Sequence, residues 1–348
     1  MSENTRTEIG EIGGEFGLID RISTFASKQN ASSVFGIGDD AAVIEKNDKE
    51  FTLVSTDMLL EGIHFDLAYV PLKHLGYKCI AVNASDIAAM NGIPEQVTVS
   101  IAISNRFSVE AIEELYQGIQ LACNQYKVDL VGGDTTSSIS GLMISVTVIG
   151  KVNKEAIVYR HTAKEGDVVC VTGDLGGAFL GLTVLQREKE AFKVDKKMEP
   201  QLDEREYVIQ RQLKPEARLD VIHEMIAKKI VPTAMIDVSD GLASELFHIC
   251  TKSNVGVTIF DEYIPKSEET KQTAFDFGVD PTTCALNGGE DYELLFTVDK
   301  SKVEVMQEFY DVTVIGEIVA LEKGMNLVTK AGNPYPLEAQ GWNHFKKK

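Results

Sequence analysis

The sequence predicts a mixed α/β fold divided between two domains. The chain has 348 residues, and domains commonly contain about 100 to 200 residues, so two domains are expected. Apolar runs typical of strands alternate with segments of helical periodicity in both halves. The stretch Gly150-Lys-Val-Asn-Lys-Glu interrupts this pattern. We therefore place the boundary between about 150 and 165 and assign the domains to residues 1–155 and 156–348.

The first half is expected to contain helices with apolar residues three to four apart, and strands formed by compact β-branched runs. Ser108 is a plausible N-cap, and Glu110 in the first turn that follows suits the helix dipole. The predicted helices cover residues 16–27, 74–90 and 108–126, and the predicted strands cover residues 33–44 (interrupted by Gly-Ile-Gly-Asp-Asp), 51–55, 97–103, 129–131 and 142–151.

The second half repeats the alternation of strands and helices. Strands are predicted at 167–172, before Asp237, at 255–260 and at 293–298, and helices at 178–186, 218–228 and 241–253. The charge-dense segment 187–205 is predicted to be a solvated helix end and loop. Gly173-Asp-Leu-Gly-Gly resembles a phosphate-binding helix start, but it fits Gly-x-Gly-x-x-Gly poorly, so a tight strand-to-helix turn is favoured.

Composition excludes several classes of partner. The net charge is -19, from 34 basic and 53 acidic side chains, whereas nucleic acids and anionic membranes require a concentrated basic face. A small anionic ligand remains compatible if metal ions screen the carboxylates. The polar N-terminus lacks the apolar run of a signal peptide, and no stretch approaches the ~18 apolar residues of a membrane span.

The cysteine pattern favours a reducing compartment. There is no Cys-x-x-Cys and no short Cys/His spacing, so neither a zinc site nor a disulfide framework is predicted. Most of the five cysteines lie in apolar stretches, where a thiol is usually a small buried hydrophobe. They are Cys79, Cys123, Cys170, Cys250 and Cys284. A cytoplasmic protein is expected.

Seven carboxylates follow apolar runs, most of them beside Gly, Ser or Thr. They are Asp39, Asp40, Asp57, Asp86, Asp134, Asp237 and Asp240. Each alone could cap a helix or close a turn, which Asp does well. Hard cations such as Mg²⁺ prefer oxygen ligands, however, and converging carboxylates imply bound metal or raised pKa values. Seven in similar contexts therefore indicate a multi-Mg²⁺ site.

Other motifs admit two readings each. Gly132-Gly-Asp-Thr-Thr could approach phosphate oxygens or form a turn, and Gly288-Gly-Glu-Asp could supply a substrate-contacting carboxylate or a solvated loop. Ser239 is a plausible N-cap for the helix after Asp240. His64 stands alone, and a lone His is more often structural than catalytic. The chain has no Walker A motif, so phosphate must be handled through metals.

Seven motifs follow one another in a specific order, although each alone is weak. They are Gly36-Ile-Gly-Asp-Asp-Ala-Ala, Ser55-Thr-Asp-Met-Leu-Leu-Glu-Gly-Ile-His-Phe, Ala81-Val-Asn-Ala-Ser-Asp-Ile-Ala-Ala-Met, Gly132-Gly-Asp-Thr-Thr, Val171-Thr-Gly-Asp, Ile236-Asp-Val-Ser-Asp-Gly-Leu and Gly288-Gly-Glu-Asp-Tyr-Glu-Leu. In this order they resemble the bacterial thiamine-monophosphate kinase family, of the aminoimidazole ribonucleotide synthetase and selenophosphate synthetase superfamily. The resemblance covers about residues 14–345.

The resemblance implies a kinase that transfers the γ-phosphoryl group of ATP to thiamine monophosphate, using several Mg²⁺ ions and no phosphoenzyme. It implies a homodimer in which the first domains form a β-barrel and the second, an α/β sandwich, completes the cleft. The implied metal positions are Asp40, Ser55, Thr56, Asp57, Asp86, Asp134, Asp237 and Asp240. The implied ATP positions are Tyr116, Gly133, Asp134, Arg160 and Ser239, and the implied substrate positions are His64, Glu290 and Trp342.

Two alternatives remain at the level of sequence. Another member of the superfamily would use ATP to activate a different substrate, but selenophosphate synthetase would want a reactive Cys or Sec near the N-terminus, and no cysteine precedes Cys79. A non-catalytic metal-binding protein would be expected to show a compact motif such as the EF-hand spacing, which is absent from the sequence. Asp39 could ligate metal or only orient Asp40.

Overall fold

Two mixed β-sheets with packed helices form the protein. The computed structural model describes residues 7–12 and 14–338. The elements of the N-terminal sheet and its helices are α1 (Gly14–Ser23), β1 (Ser33–Phe35), β2 (Ala42–Glu45), β3 (Glu50–Leu60), α2 (Leu72–Ala89), β4 (Ile93–Ile103), α3 (Val109–Tyr126), β5 (Asp129–Ser137) and β6 (Leu142–Asn153).

The N-terminal sheet has six strands in the order β1-β2-β3-β6-β4-β5. Only the β4–β5 pair is parallel, because α3 forms the crossover between these two strands. Alternate β6 residues such as Ile144, Val146 and Val148 are buried in the core on the side of α2. The opposite face carries half-exposed and exposed residues such as Thr147 and Met143, and no described element covers it.

The C-terminal elements form a larger sheet of seven strands, in the order β13-β12-β9-β11-β7-β10-β8. Only the β12–β9 pair is parallel. The elements are β7 (Val168–Thr172), α4 (Gly177–Val194), α5 (Glu206–Leu213), α6 (Leu219–Lys228), β8 (Ala234–Asp237), α7 (Leu242–Ser253), β9 (Gly256–Phe260), α8 (Glu268–Asp276), α9 (Pro281–Asn287), β10 (Leu294–Val298), α10 (Val303–Met306), β11 (Val312–Val319), β12 (Met325–Val328) and β13 (Pro334–Pro336).

Helix α2 joins the two halves. It packs on β3, β4 and β6 of the first sheet and on β8, α5 and α6 of the second half. Its residues from Leu75 to Ser85 are all buried, as expected for a helix that is covered on every side. One hydrophobic core therefore runs from Val146 of the first sheet to Phe296 of the second. Polar side chains on α2 consequently face an interior made by both halves.

Several predicted elements differ in extent from the observed ones. β5 continues through Gly132, Gly133 and Asp134, where a loop was predicted. A Cβ at position 133 would lie 1.8 Å from the Val99 carbonyl oxygen, so glycine here permits a close approach of β5 to β4. β3 runs to Leu60, α4 runs to Val194, and α5, α8, α9 and β11 to β13 were not predicted. The N-cap prediction for Ser108 is confirmed, since its hydroxyl accepts from the Ala111 N–H at 3.3 Å.

The cysteines are buried, as predicted for small hydrophobic side chains; all five lie in the described part of the chain. In that part, no helix combines the length and the apolar character that crossing a membrane requires. Trp342, implied as a substrate residue, lies outside the described residues.

Candidate active site

Three aspartates meet where the two halves face each other. Asp40 lies just before β2, Asp86 on α2 and Asp237 at the end of β8. One carboxylate oxygen of each lies within 4.8 Å of the others. These residues, of which the first and last are 197 positions apart in sequence, form what we call the acid cluster (Asp40, Asp86 and Asp237). The predicted convergence of the aspartates is therefore observed for these three.

Two serines orient the acid cluster. The Ser55 hydroxyl of β3 donates to Asp86 Oδ2 at 2.6 Å, and the Ser85 hydroxyl of α2 donates to Asp237 Oδ2 at 2.7 Å. Each hydroxyl occupies one carboxylate oxygen and fixes its rotation. The second oxygen of each carboxylate is thereby directed by the protein and can face a ligand.

Without a cation, keeping the carboxylates of the acid cluster ionised costs free energy. Burial raises the pKa of Asp40 and that of Asp237 to about 7. Burial, and then the charges of Asp57, Asp237 and Asp40, raise the pKa of Asp86 well above its usual range. Carboxylates that are desolvated and close together resist ionisation unless a positive charge compensates them. The cluster therefore favours either protons or a cation.

Asp57 adds a fourth acid on the same side. Burial raises its pKa to about 6, and its backbone N–H donates to Asn83 Oδ1 of α2 at 3.2 Å. Side chains alternate along a strand, so Ser55 and Asp57 share the face of β3 that meets α2. Thr56 points the other way, and its hydroxyl donates to the Val146 carbonyl oxygen at 3.0 Å. The Thr56 hydroxyl is therefore directed away from the acid cluster.

Arg160 partly neutralises the acid cluster. Its guanidinium forms an ion pair with Asp40, and its Nε lies 3.6 Å from Asp39 Oδ1. Asp39 is fully buried at its side chain and accepts backbone N–H groups from Asp40 at 3.1 Å and from Arg160 at 3.2 Å. Asp39 thus contacts the backbone and side chains of its neighbours, and it holds Asp40 and Arg160 in position relative to each other.

The residues present fit a divalent cation. Oxygen donors from three carboxylates converge, which suits Mg²⁺. Asp40 Oδ2 is buried and has no hydrogen-bond partner among residues 7–12 and 14–338. A buried polar oxygen left unpaired is costly and indicates a missing ligand. One oxygen each of Asp40, Asp86 and Asp237 would hold the metal.

Asp134 is not brought to the acid cluster within one chain. Asp57 pairs with Val146, Val146 with Val99, and Val99 with Gly133. Three strand spacings of about 4.8 Å place β5 roughly 14 Å from β3. Asp134 follows Gly133 and therefore points to the opposite face of the sheet, where it is exposed. Tyr116 is half-buried on α3 and packs against the core.

Asp240 and Ser239 lie at the start of α7, near Asp237. The N-cap of α7 is Gly241, so the expectation that Ser239 caps this helix is wrong. Instead, the buried carboxylate of Glu245 accepts from the Asp240 N–H at 3.0 Å. Burial, followed by the charge of Asp240, raises the pKa of Glu245 well above its usual range. Glu245 thus organises the loop that carries both predicted residues.

Glu290 lies beside Lys78 of α2, about two helical turns from Asp86. Its carboxylate contacts Lys78 Nζ at 3.0 Å and Gln212 Nε2 at 2.6 Å. Burial, and then the charges of Glu290, Asp57 and Asp237, raise the pKa of Tyr292 well above the usual range. Helix α2 carries Lys78 beside Glu290 and Asp86 in the acid cluster, so one helix links the two groups. His64 accepts the Leu60 N–H at its Nδ1, at 3.1 Å, which fixes the ring on the loop after β3.

Buried ion pairs hold the segment that carries Glu290. Asp291 accepts from the N–H groups of Gly176 at 2.7 Å and Ala178 at 3.1 Å. The start of α4 therefore binds an internal carboxylate, in agreement with the tight turn favoured for Gly173-Asp-Leu-Gly-Gly. Glu293 lies 2.8 Å from an Arg211 nitrogen and 2.6 Å from an Arg218 nitrogen. These anchors maintain a left-handed backbone at Glu290, with φ of 69°.

Sequence reasoning missed the residues that support the site, namely Lys78, Asn83, Ser85, Gln212 and Glu245. One of them carried a usable signal: Lys78 interrupts the apolar run Leu75-Gly-Tyr-Lys-Cys-Ile-Ala, and a lysine inside a buried helix needs a partner. The others are polar residues whose partners depend on the tertiary structure.

Comparison with known families agrees with the division into two halves. Residues 38–152 match the family described as AIR synthase related protein, N-terminal domain. Residues 164–325 match AIR synthase related protein, C-terminal domain. The acid cluster draws Asp40 and Asp86 from the first matched region and Asp237 from the second.

Individual relatives match over almost the whole chain. The thiamine-monophosphate kinase of Aquifex aeolicus is 36% identical over 333 residues, covering 95% of this chain and 98% of the relative. That of Bacillus subtilis is 35% identical over 339 residues, covering 95% and 99%. A solved complex of AaThiL with AMPPCP and TMP has a TM-score of 0.84 at 35% identity, covering 98% of this chain and 100% of that one.

Proposed function

Because the chain belongs to the thiamine-monophosphate kinase family, we propose that it transfers the γ-phosphoryl group of ATP to the phosphate of thiamine monophosphate. The products are thiamine diphosphate and ADP. The observation that carries this proposal is the acid cluster, whose three carboxylates approach within 4.8 Å of one another in a chain similar to a kinase solved with AMPPCP and TMP.

The acid cluster suits in-line transfer of a phosphoryl group from one anion to another. Little covalent chemistry is required of the protein, since positioning and charge neutralisation supply most of the catalysis. Mg²⁺ ions held by the carboxylates would screen the repulsion between ATP and the accepting phosphate. The residues proposed to hold them are Asp40, Asp57, Asp86, Asp237 and Asp240, with oxygens of Ser55 and Thr56; Asp134, which points to the opposite face of the sheet, is not proposed to join them within one chain. Ser55 and Ser85 fix the orientation of two of these carboxylates.

Residues outside the acid cluster are proposed to orient the two substrates. Arg160, which lies against Asp40, is suited to exchange this contact for a nucleotide phosphate, since its planar fork matches phosphate oxygens. Tyr116, Gly133, Asp134 and Ser239 are the other proposed nucleotide residues. His64, Glu290 and Trp342 are proposed to bind the thiamine part, for which a carboxylate and an aromatic face suit a cationic ring.

We further propose that residues 1–155 and 156–348 are separate domains and that the first pairs with a second copy to close a β-barrel. Two features support the pairing. Every residue of the edge strand β5 is exposed, and the outer face of the sheet carries Met58 and Met143 at 50% and 36% exposure. An open edge and an uncovered apolar face favour association.

We expect the wild-type protein to have a mass in solution of twice the 38.2 kDa of one chain. Met143→Lys places a charge on the outer face and should give a monomer, whereas Phe275→Lys, at a site 79% exposed on α8, should remain dimeric. Analytical ultracentrifugation of the three proteins measures this. A monomeric wild-type protein would contradict the proposal.

The activity is tested by incubating the protein with ATP, Mg²⁺ and thiamine monophosphate and following thiamine diphosphate and ADP together. We expect equal amounts of the two products, none with EDTA, and none with unphosphorylated thiamine as acceptor. ATP turnover without thiamine diphosphate would indicate another reaction of the superfamily, and nucleotide binding without turnover would indicate a binding protein.

A further inference from the structure

Helix α2 carries a buried lysine at the end of the site opposite the acid cluster. Lys78 is 3% exposed, and its ammonium group donates to the Gln212 carbonyl oxygen at 3.0 Å and contacts Glu290 Oε1 at 3.0 Å. A buried ammonium requires a paired charge and hydrogen bonds. Lys78, from the first half, is therefore held by two residues of the second half.

Each oxygen of the Glu290 carboxylate has a protein donor. Its Oε1 faces Lys78, and its Oε2 accepts from Gln212 Nε2 at 2.6 Å. The Glu290 side chain is 27% exposed, while that of Lys78 is 4% exposed. A carboxylate with two oxygens can accept about four hydrogen bonds. Two protein donors therefore orient it, and acceptor capacity remains for a ligand.

Helix α2 also sets the distance between the two ends of the site. Lys78 and Ser85 are seven residues apart, which places them on the same face of the helix. Ser85 bonds Asp237 of the acid cluster, and Asp86 follows it. At a rise of 1.5 Å per residue, Lys78 and Asp86 are about 12 Å apart along the axis. The acid cluster and the Lys78–Glu290 pair are thus separated by about two turns of helix.

We propose that Lys78 and Gln212 are positioning residues that present the Glu290 carboxylate, fixed in direction, to the amino group of the aminopyrimidine ring of thiamine monophosphate. This inference rests on the proposed function. It makes the Lys78–Glu290 pair a determinant of acceptor affinity that plays no part in nucleotide binding or in phosphoryl transfer. Neither Lys78 nor Gln212 needs to touch the acceptor.

Steady-state kinetics with each substrate varied separately tests the inference. Lys78→Met keeps the aliphatic stem and removes the charge, so the KM for thiamine monophosphate should rise about 10- to 100-fold, the effect of losing one charge-assisted hydrogen bond. The KM for ATP and kcat should change less than about threefold. Lys73→Met is the matched control, because Lys73 is exposed on the same helix, and it should leave all three values unchanged.

A second variant tests the same inference if Lys78→Met does not fold. Gln212→Leu removes the Nε2 donor but keeps the backbone carbonyl that binds Lys78, and the Gln212 Oε1 that it also removes is buried without a partner among the described residues. It should raise the KM for thiamine monophosphate in the same selective way. Equal increases in both KM values, or a selective loss of kcat, in a folded variant would overturn the inference.

The double variant Lys78→Met with Glu290→Gln separates the inference from its premise. If Lys78 acts through Glu290, Lys78→Met should have less than a threefold effect in the Glu290→Gln background. Additive effects would overturn the role of Lys78. An unchanged KM for thiamine monophosphate in Glu290→Gln alone would overturn the inference through its premise on Glu290, with the activity intact. Absence of thiamine diphosphate from the wild-type protein would instead refute the proposed function.

Discussion

Asp86→Asn should lower kcat for thiamine diphosphate formation by about a thousandfold while the protein still folds. Asp86 lies centrally in the site, since the charges of Asp57, Asp237 and Asp40 all act on it. Asparagine keeps the volume and an oxygen that can accept the Ser55 hydroxyl, but it removes the negative charge that a metal needs. Losing several kcal/mol of metal-based stabilisation of the transition state corresponds to roughly three orders of magnitude in rate.

The same substitution should leave the metal-free protein at least as stable as the wild type, because it removes a buried charge from a group of like charges. Thermal unfolding in EDTA measures this, alongside the kinetic assay. Asp48→Asn, at an exposed position between β2 and β3, is the control and should change neither quantity. Turnover of Asp86→Asn within tenfold of the wild type would contradict a metal role for the acid cluster.

The acid cluster was predictable from sequence because each of its members follows a recognisable local signal. Asp40, Asp86 and Asp237 each lie next to a run of apolar residues, at points where the chain is at the edge of the hydrophobic core. Asp134 has the same kind of context, yet it points to the other face of the sheet, three strands from Asp57. Local context predicts that a carboxylate lies at an element's edge. The face to which it points depends on the pairing of strands distant in sequence, which a single sequence does not reveal.

The supporting residues were harder to predict for a related reason. The charged stretch 187–205 is predicted to be solvated, and α5, which begins directly after it and whose Gln212 reaches Glu290, is not predicted. A solvated loop was one of two interpretations of Gly288-Gly-Glu-Asp, but Asp291 is buried, as is Glu293 at the start of the predicted strand, and both are compensated by Arg211 and other donors. Charge-rich segments are usually exposed, so only the tertiary structure distinguishes a buried, paired carboxylate from a solvated one.

Magnesium should stabilise the folded protein much more at pH 8 than at pH 5.5. In the metal-free protein, burial raises the pKa of Asp40 and that of Asp237 to about 7, whereas an unfolded Asp titrates near 3.9. A group whose folded pKa is raised contributes stability that is complete below about pH 4. That contribution is lost as the pH rises through about 7. The metal-free protein should therefore unfold at progressively lower temperature between pH 5 and pH 8.

Mg²⁺ reverses this trend because it binds the ionised carboxylates and competes with the protons. At a free concentration one hundred times its Kd, it should add about 2.7 kcal/mol to the free energy of unfolding, and the protons bound at pH 5.5 should remove most of that gain. Differential scanning fluorimetry across this pH range, with EDTA or Mg²⁺, measures the difference. Asp237→Asn should reduce both the pH dependence without metal and the gain with it. An equal gain from Mg²⁺ at both pH values would show that the ion binds outside the acid cluster, at groups ionised throughout this range.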